Sequence, residues 1–159
     1  KLRGHTYAAG LSLKEENLDA FTQRFLKLAA DEIIPEQMTP QIDIDAVLDL
    51  QDINSKFMSE LKKINPFGPD NQKPVFCSLG VKDYGTSKLV GKDLEHIKLE
   101  LIDDKSNTPI HGIAFGMHQH NTHIKNMKPF NICYTIEENT YNGNTSLQLM
   151  VKDIKENDI

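Results

Sequence analysis

His96-Ile97-Lys98-Leu99-Glu100-Leu101-Ile102 reads as one β-strand, and the rest of the fold can be built outward from it. Ile97, Leu99 and Leu101 alternate with His96, Lys98 and Glu100. Successive side chains of a strand point to opposite faces, so this strand has one apolar face and one polar face. Downstream, Asp103 to Pro109 is a loop and Ile110 to Phe115 is a second strand. Phe130, Ile132, Tyr134 and Ile136 alternate through a third. Asn142-Gly143 is a hairpin turn, since both residue types accept left-handed backbone. Leu147, Leu149 and Val151 line the closing strand, and Lys155 to Ile159 is a polar tail.

Upstream, Val75 to Val81 is a strand with Phe76 prominent, and Tyr84-Gly85-Thr86-Ser87-Lys88 is a turn or a bulged continuation of it. Pro66-Phe67-Gly68-Pro69-Asp70-Asn71 is a rigid turn. Ile53, Phe57, Leu61 and Ile64 form a helical stripe that ends at Asn65-Pro66. Ile42, Ile44, Ala46, Leu48 and Leu50 alternate with Gln41, Asp43, Asp45, Val47 and Asp49, which predicts a strand with one wet side. Residues 38–155 thus hold about six short strands and one helix. The fold class is mainly β with α (α+β), and a five-stranded OB-like barrel with an extra strand fits the length. No internal repeat and no low-complexity tract interrupts it.

The first 37 residues read differently. Ser12-Leu13-Lys14-Glu15 is a capping box, a hydroxyl followed three residues later by an acid. Leu18, Phe21, Phe25 and Leu28 follow at helical spacing, which predicts a helix from Lys14 to about Ile34, stopped by Pro35. Tyr7 to Leu13 is a short strand before it. Such a β-α unit closes no core alone and is expected to be the remnant of a truncated domain. Ahead of it, Gly4-His5 and Ala8-Ala9-Gly10 pack small residues around one imidazole. Glycine permits close backbone approach to a ligand, and histidine supplies a donor or acceptor.

The chain has 159 residues with 38% hydrophobic and 26% charged content, as soluble globular domains have. At this size a compact chain buries about 70% of its unfolded surface, so a core is within reach. No apolar run is long enough to span a membrane and no signal peptide is visible, so no membrane partner is expected. The net charge of −5 is uneven. Residues 14–50 carry three Lys/Arg against nine Asp/Glu, whereas residues 51–109 carry nine of each. Total charge therefore does not call for nucleic acid, but local basic faces in the middle stretch remain available to it. Cys77 and Cys133 lie in apolar runs without CxxC or zinc spacing, as buried reduced thiols of a cytosolic protein do.

Several side chains are candidates for chemistry. Lys82, Tyr84, Lys88, Lys92, His96 and Lys98 cluster around one hairpin, and His96 and Lys98 share a face. Lysines meet phosphates as point charges, and OB folds bind single strands with basic grooves and aromatic platforms. Asp83, Asp93, Glu95 and Glu100 dilute this face and favour an ordinary solvated surface on charge alone. His111, His118, His120 and His123 are dense, but no acid or cysteine accompanies them in their segment, so surface histidines are expected rather than a metal site. Asp43 and Asp45 would sit about 7 Å apart on one wet strand face, with no apolar setting to suit acid-base work. Tyr134 and Tyr141 read as packing residues.

In order and spacing, the chain resembles the C-terminal part of the RecJ family of bacterial single-strand-specific exonucleases. The segment Arg3-Gly4-His5-Thr6-Tyr7-Ala8-Ala9-Gly10 is similar to a glycine-glycine-histidine stretch of that family's DHH-associated domain, with Arg3 where the family has its first glycine. Leu13 to Leu18, Pro66-Phe67-Gly68-Pro69 with Pro74-Val75-Phe76, Val90-Gly91-Lys92 with His96 to Leu99, Ile113 to Gly116, and Ser146 to Leu149 resemble later family segments. The resemblance implies a remnant of the DHH-associated domain over 1–37, an OB-like nucleic-acid-binding barrel with one helix over 38–155, and a tail over 156–159. It implies single-stranded DNA as partner, bound by Gly4, His5, Lys82, Tyr84, Lys88, Lys92, His96 and Lys98. It implies that catalytic residues and a Mn²⁺ or Mg²⁺ site belong to an absent catalytic domain, so the fragment holds no cofactor and cleaves nothing. A cytoplasmic bacterial setting, DNA repair and recombination, and other DNA-repair proteins as partners come with it. Two alternatives stay open: a protein-interaction OB module, and part of a DHH-family phosphoesterase acting on short RNA.

Overall fold

The computed structural model describes residues 2–5, 8–106 and 108–157. It divides into two compact units, Lys1–Gln41 and Ile42–Ile159.

In the first unit, β1 (Leu2–His5) and β2 (Ala8–Leu11) form an antiparallel hairpin with Gly4 opposite Ala9 and His5 opposite Ala8. A 3-10 turn over Glu15–Asn17 leads into α1 (Leu18–Glu32). The expected capping box does not form. Lys14 and Asn17 occupy the two N-cap positions, and neither makes a side-chain cap bond. The stripe of α1 stays exposed, with the rings of Phe21 and Phe25 stacked at 5.8 Å.

The second unit carries the core. Its seven-stranded sheet runs β3 (Ala46–Val47), β4 (Phe76–Asp83), β8 (Phe130–Tyr141), β9 (Asn144–Glu156), β7 (Ile110–Ala114), β6 (His96–Ile102) and β5 (Lys88–Val90). A further β4–β6 pairing, Lys82 opposite Ile102, turns the run β4-β8-β9-β7-β6 back on itself. β4 can serve both ends because it bends: its register shifts between Ser78 and Val81, with Gly80 at φ 65° and its N–H donated to Asn131 Oδ1 at 2.9 Å. All the pairings are antiparallel except β7–β9 and the short β3–β4 contact. This is an OB-like arrangement, mainly β with α, as expected.

The alternation of β6 is realised: Ile97, Leu99 and Leu101 are fully buried. They meet Val81, Ala114, Phe130, Ile132, Tyr134, Ile136 and Leu149 in one core. Ile124 of the short α3 (Asn121–Lys125) is also fully buried in it. Helix α2 (Ser55–Lys62) adds Leu61, and its N-cap Asn54 accepts from the Lys56 and Phe57 amides. Among the described residues of this unit, two helices and seven strands thus replace the expected one and six. The strand expected over 42–50 shrinks to Ala46–Val47. Asp45 leaves that pattern because its amide and carboxylate both pair with the backbone of Val75. Asp43 and Asp45 therefore share no strand face. β9 runs on through Glu156, beyond the expected start of the tail.

Candidate nucleic-acid interface

The outward parity of β5, β6, β7 and β9 builds one continuous face. Lys88 lies opposite Lys98, Lys98 opposite Ile113, and Ile113 opposite Met150. The neighbouring row holds Glu100, His111 and Gln148. Lys88 and Lys98 are exposed; Ile113 and Met150 continue their row half-buried, and Val90 is half-buried opposite His96. The distal β8–β9 hairpin borders this face, where Lys98, His111, Asn139, Ser146 and Gln148 line a cleft of about 380 Å³. That hairpin turns at Asn142 and Gly143, whose φ of 49° and 79° are left-handed.

Of the acids expected to dilute the face, Asp83 and Glu95 are committed elsewhere, whereas Glu100 stays on it. Asp83 is fully buried. Its Oδ1 accepts the Ser87 amide at 3.1 Å, and Lys125 Nζ stands 3.6 Å from Oδ2. Ser87 Oγ in turn accepts the Glu100 amide at 3.0 Å, which ties the 84–88 loop to β6. Burial alone would raise the pKa of Asp83, but the Ser87 hydroxyl, the Ser87 and Gly85 amides and the Lys125 charge together hold it below the ordinary value. Glu100 accepts from the Thr86 hydroxyl and lies 3.5 Å from His111 Nδ1. Glu95 folds back over its own loop, where its Oε2 accepts the Asp93 amide at 2.9 Å. Its own amide first, then that of Asp93 and the neighbouring imidazoles, hold its carboxyl below the usual range despite some desolvation.

The sequence model for the RecJ OB domain matches residues 44–153. The chain belongs to the RecJ OB domain family. It is 28% identical over 155 residues to the single-stranded-DNA-specific exonuclease RecJ of Haemophilus influenzae, covering 98% of this chain and 27% of that protein. The RecJ proteins of Salmonella typhimurium and Bacillus subtilis are each 27% identical, and the chain covers 26% and 19% of them. The chain thus spans about a quarter or less of the relatives it matches. RecJ from Thermus thermophilus, solved in complex with Mn²⁺, superposes with a TM-score of 0.75 at 19% identity, over all of this chain and 22% of that one. That likeness establishes the fold.

The sequence-predicted residues of this RecJ OB domain do not all meet. Lys88, His96 and Lys98 share the β5–β6 face. Lys82 is tied to Asp104 at 3.1 Å. Tyr84 is exposed, with its amide donated to the Glu100 carbonyl at 2.8 Å, and Lys92 is exposed in the turn after β5. Gly4 and His5 lie in β1, and the His5 side chain falls outside the described parts, as does that of Tyr141.

His96 is not a free phosphate donor. Its Nδ1 accepts the Gly116 amide at 3.0 Å and its Nε2 faces Glu95 Oε1 at 3.2 Å. Sequence reasoning also missed Phe115, whose ring lies 4.9 Å from that of His96 and is 54% exposed. The available signal was parity, since Phe115 continues the outward set of His111 and Ile113.

The histidine group is less superficial than expected. His120 Nδ1 and His123 Nδ1 reach the two oxygens of Glu156 at 2.7 and 3.2 Å, and the His123 side chain is mostly buried. The acid missing from their segment arrives from β9. No group of three or more His, Cys, Asp or Glu among the described residues is placed to hold a metal ion. Cys77 and Cys133 are free thiols opposite each other on β4 and β8. Burial and the neighbouring Cys77 push the Cys133 thiol up to about 11. Among the described residues, no helix is long and apolar enough to cross a membrane.

Proposed function

We propose that this chain is the single-strand-holding OB region of a RecJ-like 5′–3′ single-stranded-DNA exonuclease acting in DNA repair and recombination. The observation that carries this reading is the coincidence of position and charge. In OB folds the face of the second and third barrel strands and the loops beside it bind oligonucleotides. Here those strands are β6 and β7, and that face presents Lys98 with Lys88 directly across from it. The lysines neutralise phosphates without reading sequence, and the cleft beside the β8–β9 hairpin accepts the continuing strand. Gly4 and His5 position a phosphate near the catalytic domain of the intact protein. That domain supplies Mn²⁺ or Mg²⁺ and hydrolyses the phosphodiester; this chain binds and positions but does not cleave.

The test is fluorescence anisotropy with a labelled single-stranded oligonucleotide across a salt series. Binding should weaken as salt rises. Lys88→Ala and Lys98→Ala should each lower the slope of log K against log salt by about 0.7, the release expected per phosphate of a single strand. Absence of binding at low salt removes the strand-holding role.

A further inference from the structure

Resting on the proposal that the β6–β7 face holds a single strand, we infer that Phe115 is a nucleobase-stacking platform of that face and that His96 is its positioning residue. A single exposed apolar side chain is ordinary. Phe115 differs in being held by a chain of contacts while its ring remains open. The turn after β5 starts at Gly91, at φ 97°, where an added Cβ would come within 2.7 Å of Glu95 Oε2. That close approach lets the Glu95 carboxylate cap the turn and aim Oε1 at His96 Nε2. The Gly116 amide donates to Nδ1, so Nδ1 is the bare nitrogen and the neutral imidazole carries its proton on Nε2, facing Glu95 Oε1. Gly116 turns the chain at φ 69° directly after Phe115. The imidazole is therefore held by the Gly116 amide at Nδ1 and faced by the Glu95 carboxylate at Nε2. The imidazole packs edge-to-face on Phe115 at 79° between planes. Whichever ring supplies the edge, at least one face of the phenyl remains clear of the imidazole.

Location gives this open ring its ligand. Phe115 is the first residue past the end of β7, two after Ile113, and its ring meets that of His96, which shares the outward side of β6 with Lys98. Ile113 is directly opposite Lys98, which is opposite Lys88. A phosphate-sized charge site and an aromatic face thus stand within one nucleotide's reach. Every base has a π-face, so a platform of this kind accepts bases without sequence preference. The face then binds a strand through its bases as well as its phosphates. A purely ionic face would hold any polyanion equally well.

The experiment compares a deoxythymidine oligonucleotide with an abasic oligonucleotide of equal length and charge, at one salt concentration. The intact chain should prefer the base-bearing strand by about 5- to 150-fold, the range one stacked base supplies. Phe115→Ala should bring that preference close to unity, while Lys98→Ala weakens both strands alike. His96→Ala should also lose the preference. His96→Asn, which keeps an acceptor for the Gly116 amide, should restore part of it. The chain has no tryptophan, so Phe115→Trp adds a single indole, excited selectively over the tyrosines, that base-bearing strands should quench and abasic strands should not. Equal affinity of the intact chain for both strands overturns the platform and leaves the ionic face standing. Binding to neither strand overturns both. A preference that survives Phe115→Ala overturns the role of Phe115, and one that survives His96→Ala overturns that of His96.

Discussion

Asp83 shows how one residue can invert its apparent meaning. Along the sequence it subtracts charge from a basic hairpin. In the fold it is a buried carboxylate whose bond to the Ser87 amide organises the loop between β4 and β5. Its folded-state pKa lies below the ordinary 3.8, so on acidification the unfolded chain takes up this proton first. Asp83 therefore contributes stability above 3.8 that is lost as pH falls through the folded-state value. Asp83→Asn should destabilise the chain by about 1–3 kcal/mol near neutral pH. Urea titrations between about pH 5 and pH 2 should show that gap shrinking as pH falls, and a constant gap would contradict the assignment. A second buried polar residue, Tyr134, is fully enclosed, with its hydroxyl 2.7 Å from Ser78 Oγ, which itself donates to the Leu48 carbonyl. Tyr134→Phe removes one link of that chain and should cost about 1 kcal/mol in the same assay.

Among the elements, α3 is short but consequential. Five residues cannot form a stable helix alone, so tertiary packing must hold this one. Ile124 is fully buried in the common core, while Lys125 reaches Asp83 and His123 reaches Glu156. Ile124→Ala leaves a cavity among side chains that cannot all collapse into it, at a cost of about 2–5 kcal/mol. The measurement is the urea midpoint at unchanged m-value. A shift under about 1 kcal/mol would mean that α3 merely rests on the barrel. β3 shows the opposite outcome of an element-level reading. The alternation over 42–50 is genuine, but Asp45 and Leu48 bond to the β4 strand and its approach, and a 3-10 turn over Leu50–Asp52 ends the run.

For the whole molecule, every buried core residue among those described lies from Leu50 to Ile154. A chain cut to residues 42–159 should therefore retain a cooperative thermal transition and the β circular-dichroism signature. Loss of cooperativity in that shortened chain would show that the first unit is required for the fold. The order β4-β8-β9-β7-β6 was within reach of sequence reasoning only as a count of strands of suitable length. The closing contact between β4 and β6 depends on the bend at Gly80, which no alternation reveals.

Residue order was enough to locate strands β4, β6, β7 and β8, the Asn142-Gly143 turn and the OB-like class. Local alternation and left-handed turn preferences act over a few residues and are written directly in that order. It also placed Lys88, His96 and Lys98 together, because strand parity and a short hairpin suffice for that. Which charges stay free was settled by the folded arrangement: Asp83 is buried against Lys125, Glu95 turned back on its loop, and Lys82 spent on Asp104. The same arrangement brought Glu156 to the histidines and His96 to Gly116 and Phe115. Apart from the local turn of Glu95, those partners lie 19 to 42 residues apart along the chain. Hydrogen bonds and ring contacts form only where closure of the sheet brings distant segments within a few ångströms, and periodicity carries no record of that closure.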